Sequence, residues 1–211
     1  MNKAKPLYLL AGGRGMSRKE RDPILDEVFS LAERSNPSIS YVGAASRDSK
    51  PFFLFMAGYL KKAGASQVRL APLVSKRANT EASMRIIEES DIVFMSGGDV
   101  EEGMHHIESR NMTNFFSSLY SSGKPFFGLS AGSIMLAERW VKWRDPEDDR
   151  TAETFPCLAL APVLCDTHGE EDDWEELQVL LSLSPEGSVG YGIQTGAALV
   201  CLPDGTVEAR G

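Results

Sequence analysis

Lys124-Pro125-Phe126-Phe127-Gly128-Leu129-Ser130-Ala131-Gly132-Ser133-Ile134-Met135-Leu136-Ala137 is the stretch that decides how this chain folds. Its centre is a G-x-S-x-G pattern. Upstream, Lys124 to Phe127 reads as a short buried strand; downstream, Ser133 to Ala137 reads as a helix. A serine on a tight strand-to-helix turn has its hydroxyl pushed out of the sheet, and flanking glycines let the strained backbone form and leave room for a substrate. The Ala131 N–H then sits at a helix N-terminus, where it can donate to a developing oxyanion. The plain alternative is a Gly-rich turn with an incidental serine. A strand and a helix in register on either side favour the nucleophile.

Outward from this elbow, apolar runs alternate with amphipathic stretches. Leu7–Ala11, Ile39–Ala44, Val68–Ala71, Ile92–Met95 and Pro125–Leu129 are the expected strands. Pro23–Arg34, Pro51–Ala63, Thr80–Glu89 and Thr113–Ser122 are the expected helices. In the second of these, Phe52, Phe55, Met56, Tyr59, Leu60 and Ala63 form one apolar stripe. Strands alternating with helices imply βαβ units and a mostly parallel sheet covered on both faces, an α/β three-layer sandwich. Further along, Leu158–Cys165 and Ser188–Ile193 read as strands around a helix carrying Trp174, Leu177 and Leu181. Residues 144–154 read as an exposed loop, and Ala197–Leu202 with Val207–Ala209 as a hairpin turned by Asp204-Gly205. There is no internal repeat or low-complexity linker, so residues 1–211 are expected to form a single domain.

Composition narrows the function. The 211 residues are 42% hydrophobic and 25% charged, an ordinary globular balance. A net charge of −8 argues against a nucleic-acid partner, which needs a basic face. No apolar run approaches the roughly 18 residues of a membrane span. Leu7–Ala11 follows two lysines but is cut short by glycines, so it is expected to be a first core strand rather than a signal peptide. Cys157, Cys165 and Cys201 are odd in number and lack C-x-x-C spacing, which suits neither a disulfide framework nor a zinc site. No metal is expected, and a reducing cytoplasm is the natural compartment.

Sites in parallel sheets form at the carboxyl ends of strands. Three turns fall there: Gly12-Gly13-Arg14-Gly15, Ser96-Gly97-Gly98-Asp99 and the serine elbow. The first is an incomplete dinucleotide turn, because Arg18 stands where the last glycine belongs and no acidic residue ends the second strand. No cofactor is therefore expected. Asp99, Arg14 and Arg47, in turns at this same edge, are the candidate substrate-binding residues. A nucleophilic serine needs a base, and the chain has three histidines. His105 and His106 are adjacent in a helix and cannot both face one site. His168, just past an apolar strand in Asp166-Thr167-His168, is the stronger candidate, its alternative being a loop histidine in an acidic stretch.

Together, Phe94-Met95-Ser96-Gly97-Gly98-Asp99, Gly128-Leu129-Ser130-Ala131-Gly132 and Asp166-Thr167-His168 resemble the aspartyl dipeptidase (peptidase E) and cyanophycinase family of serine peptidases. The likeness spans nearly the whole chain. It implies a fold similar to class I glutamine amidotransferases, with Ser130 as nucleophile, His168 as general base and the N–H groups of Gly98 and Ala131 as the oxyanion hole. It also implies a hydrolase cleaving a small peptide or isopeptide bond through an acyl-enzyme. A catalytically lapsed binding or interaction protein on the same scaffold is the alternative, and a homodimer is left open. The chain departs from the family at three points. Family members usually have Phe and soon Arg after the histidine, where this chain has Gly169-Glu170-Glu171-Asp172-Asp173. That acidic run either repels acidic substrates or caps the following helix, while Arg14 and Arg47 could restore positive charge. Thr195 stands where the family often has a glutamate. For the third triad member the resemblance implies Asp145, which stands as far after the serine as an aspartate that some family members use, with Asp166 as the local rival and a missing carboxylate as the remaining reading.

Overall fold

The computed structural model describes residues 4–12, 22–146 and 148–211. Five parallel strands form the centre of a seven-stranded sheet: β1 (Leu7–Leu10), β2 (Ser38–Val42), β3 (Gln67–Leu70), β4 (Ile92–Met95) and β5 (Phe126–Leu129). The hairpin β10 (Ala198–Cys201) and β11 (Val207–Arg210) completes it. Here β10 runs antiparallel to β1, and the order is β11-β10-β1-β5-β4-β2-β3.

Period-two alternation sends successive side chains to opposite faces, so each of these short apolar strands must be covered twice. On one face Tyr8, Leu10, Ile39, Tyr41, Phe94 and Phe127 pack against α1 (Pro23–Ser30) and α2 (Lys50–Ala63). The Phe94 and Phe127 rings stack there at 4.6 Å. On the other face Leu7, Leu9, Val93, Met95 and Phe126 meet α3 (Thr80–Glu89), α4 (Val100–Ser109), α5 (Thr113–Ser121), α6 (Ala131–Leu136) and α7 (Glu175–Ser182). This is the expected three-layer sandwich. Helix starts follow local chemistry. Asp22 caps α1 by accepting from Ile24 N–H at 3.0 Å, and Asp99 caps α4 by accepting from Glu102 N–H at 2.8 Å.

Two expectations need correction, and one strand pairing is new. The stretch read as a loop over 144–154 is instead the tip and second arm of a hairpin, β6 (Arg139–Trp143) with β7 (Ala152–Pro156). The apolar run Leu158–Cys165 becomes a strand only at its end, β8 (Leu164–Thr167). Its first part is irregular because its N–H groups serve the open end of α6: Leu158 donates to Met135, and Leu160 and Ala161 to Leu136. Finally, β8 pairs in parallel with β9 (Gly190–Ile193) as a separate two-stranded sheet.

Candidate active site

β1, β5 and β4 are neighbours in the sheet, so the turns at their carboxyl ends meet. Ser130 follows β5 at φ 52° and ψ −126°, a conformation that non-glycine residues rarely adopt. The elbow is pinned on both sides. Ser130 N–H donates to the Leu10 carbonyl at 2.8 Å, and the buried Ser133 hydroxyl donates to the same carbonyl at 2.8 Å. The glycine two residues on is required by space: a Cβ at Gly132 would lie 2.0 Å from the Met95 carbonyl oxygen.

The loop after β4 packs directly on the serine. A Cβ at Gly97 would come within 3.7 Å of Ser130 Oγ, and Gly98, at φ 145°, runs so close to Ala45 that a Cβ would fall 2.0 Å from its carbonyl oxygen. Ala131 opens α6, so its N–H has no intrahelical acceptor, and it lines the same cavity as Gly98 and Ser130. A helix N-terminus beside a glycine loop presents backbone donors to an anion.

His168 comes from the end of β8. Its N–H donates to the Ile193 carbonyl of β9 at 2.8 Å, its φ is 49°, and its Nε2 lies 2.7 Å from Ser130 Oγ. That separation suits proton transfer from hydroxyl to imidazole. The other two histidines lie elsewhere: within α4, His106 Nε2 stands 3.8 Å from Glu102 Oε1. The three cysteines are buried and free, and burial pushes the Cys201 thiol up to about 11, which leaves no ready thiolate at neutral pH.

Asp166 is 3% exposed, and its Oδ1 accepts from Thr167 N–H while Oδ2 has no hydrogen-bond partner. Burial, reinforced by Glu176 and Asp172, pushes its carboxyl up to about 6, with the Thr167 hydrogen bond and nearby His168 pulling the other way. Glu170 behaves oppositely. Its Oε1 accepts from Thr195 N–H at 3.0 Å, and hydrogen bonding from Thr195 holds its carboxyl below the usual range. A carboxylate thus reaches Thr195 from the histidine loop. Sequence reasoning missed this, although the acidic run was the available signal. Asp145 lies exposed in the β6–β7 turn, where its N–H donates to Thr151 Oγ1 at 3.0 Å. His168 acts to lower the carboxyls of Asp166, Glu170 and Glu176.

Asp99 is engaged as the α4 cap and lines the site. Arg47, at φ 56°, pairs with Glu102 at 2.6 Å rather than lining a cavity beside Ser130. Arg14 lies outside the described residues. Two cavities flank the Ser130–His168 pair. One, of about 380 Å³, is polar and bounded by α4, β6, the histidine loop and α7. The other, of about 630 Å³, is apolar, with Phe52, Phe55 and Leu129 in its walls. Phe55, placed by periodicity on the core stripe, is 56% exposed because it faces this groove instead. Among the described residues no group of three or more His, Cys, Asp or Glu side chains is placed to hold a metal ion, and no helix is long and apolar enough to cross a membrane.

The family model for peptidase family S51 matches residues 7–208. Among solved structures, a peptidase from an acI-B1 Actinobacterium superposes with a TM-score of 0.73 at 16% identity, covering 93% of this chain and 83% of that one. A protein assigned as peptidase E from Listeria monocytogenes EGD-e superposes with a TM-score of 0.72 at 12% identity, covering 98% of each chain. At such identities the likeness speaks for the fold. No curated protein matches the sequence.

Proposed function

The chain belongs to peptidase family S51 and is a serine-type peptidase, and from that premise we propose that it hydrolyses a small peptide or isopeptide bond through an acyl-enzyme on Ser130. The observation that carries this reading is the 2.7 Å approach of Ser130 Oγ to His168 Nε2 at a strained elbow. In the acylation step Ser130 Oγ bonds to the carbonyl carbon while its proton passes to His168 Nε2. The N–H groups of Gly98 and Ala131 donate to the oxyanion. Collapse breaks the C–N bond, and the leaving amine takes the proton from His168. Water, deprotonated by the same imidazole, then releases the acid and restores Ser130.

The imidazolium formed midway needs nearby negative charge. We assign that role to the carboxylates grouped around the histidine loop, with Glu170 best suited because it stays ionised where Asp166 is easily protonated. Labelling with a fluorophosphonate tests the core of the proposal. Wild-type protein should be modified stoichiometrically and Ser130→Ala not at all, with peptide turnover falling by about a thousandfold or more. A wild type that ignores the probe, or a Ser130→Ala variant that still reacts, would overturn it in favour of a binding protein on the same scaffold.

A further inference from the structure

The two cavities meet at the nucleophile and differ in chemistry. Among the described residues of the polar one, five carboxyls (Asp99, Glu101, Asp166, Asp172 and Glu176) share the wall with one ammonium, Lys142. That lysine is already shared between Glu153 at 3.3 Å and Glu101 at 4.0 Å. The remaining acids repel one another: Asp172 raises both Asp166 and Glu176. Crowding is enforced by Gly169, where a Cβ would sit 3.0 Å from Asp166 Oδ2 and 3.1 Å from Asp172 Oδ1. Asp166 Oδ2 is moreover buried with no partner in the wall of this cavity. Carboxyls held this close together, outnumbering the cationic side chains of the described wall, make a cavity that favours a cation. Trp140 and Trp143 also line this cavity, and indole rings are the side chains a cation and its alkyl stem pack against best.

Across Ser130 the surroundings reverse. Phe52 and Phe55, on the first turns of α2, stand with Leu129 and Ala11 around a groove whose walls, among the described residues, carry no ionisable group other than His168. Phe55 leaves more than half its surface in solvent, a cost that an apolar ligand would relieve.

We propose, building on the hydrolase reading above, that the substrate carries an ammonium or guanidinium on one side of the scissile bond and a bulky apolar side chain on the other. The cation enters the acidic cavity and the apolar group lies along Phe52 and Phe55. A substrate with a carboxylate in the cation's place is rejected.

Titration of the Ser130→Ala protein with the dipeptides Arg-Phe, Phe-Arg, Asp-Phe and Ala-Ala, free and N-acetylated, tests this. One order of Arg and Phe should bind about tenfold or more tighter than either Asp-Phe or Ala-Ala. That advantage should shrink between about 50 and about 500 mM salt. In the same background Glu176→Gln or Asp172→Asn should erase most of the preference over Asp-Phe, and Phe55→Ala most of the remaining preference over Ala-Ala. N-acetylation removes the α-ammonium that all four peptides share, so the arginyl preference should survive it, and its loss on acetylation would overturn recognition of a side-chain cation. Asp-Phe binding as tightly as the arginyl peptides, or no dipeptide binding at all, would overturn the proposal. Fluorophosphonate labelling of the wild type keeps the two readings apart. Labelling with Asp-Phe preferred removes the substrate class alone, whereas the arginyl preference without labelling removes the hydrolase alone.

Discussion

Asp166 is a buried acid pulled in opposite directions. Removal from water and the charges of Glu176 and Asp172 raise it, while the Thr167 N–H and His168 lower it, and the balance leaves it titrating near 6. The folded-state value is above the ordinary 3.8, so the folded protein binds this proton more tightly than the unfolded chain does. Its contribution to stability is therefore full below about pH 4 and lost as pH rises through about 6. Asp166→Asn, which keeps an acceptor for Thr167 N–H, should match wild type in acid and exceed it by about 1–3 kcal/mol at pH 8. Urea denaturation at both pH values measures this, and an equal deficit at both would mean that the carboxylate is a structural partner instead. At this scale the sequence was legible wherever chemistry is local. Ser130 and His168 were marked by the elbow motif and by a position just past a strand. Glu170 was not, because its bond to Thr195 joins residues 25 apart and exists only once β8 and β9 are paired. Asp145, suggested by the family resemblance, sits in the exposed turn of the β6–β7 hairpin, a hairpin that the polar sequence did not announce.

Elements show the same division. The strands buried on both faces and the capped helices could be read from composition and period. The six-residue α6 could be placed only through the elbow that launches it. Close approach also separates two glycines in a way that no propensity scale would. Gly132, in α6, lies under the Met95 carbonyl, so Gly132→Ala should cost about 3 kcal/mol or more and remove probe labelling with it. Gly58, exposed in the middle of α2 with nothing within 4 Å of its would-be Cβ, should give the opposite result. Gly58→Ala is expected to stabilise by about 0.5–1 kcal/mol, because alanine loses less backbone freedom in a helix. Paired thermal melts test both. What the sequence hid at this level was hydrogen-bond demand. Leu158–Val163 is apolar enough for a strand, yet part of its backbone serves the carbonyls that end α6, and β6–β7 was masked by the polar residues at its tip.

For the whole molecule, the sheet is assembled from distant pieces. β1 lies between β5 and β10, with Leu7 opposite Cys201 and Leu9 beside Gly128. The charge balance also acts at this scale, since the net −8 adds a long-range attraction for cationic peptides that salt will weaken. Deleting residues 197–211 should abolish labelling although Ser130 and His168 remain. β1 would lose its antiparallel neighbour, and an open apolar edge would invite aggregation. Size-exclusion chromatography beside the labelling assay would show both effects, and full labelling of the shortened chain would show that the site stands without the hairpin. The register of the histidine has a consequence for synthesis. His168 is held by the Ile193 carbonyl and Glu170 by the Thr195 N–H, so the base is fixed by residues that leave the ribosome well after the nucleophile does. On the proposed mechanism a nascent chain carries Ser130 before the residues that hold His168 in place have emerged, so probe labelling of stalled chains should begin only when the stalled length includes β9.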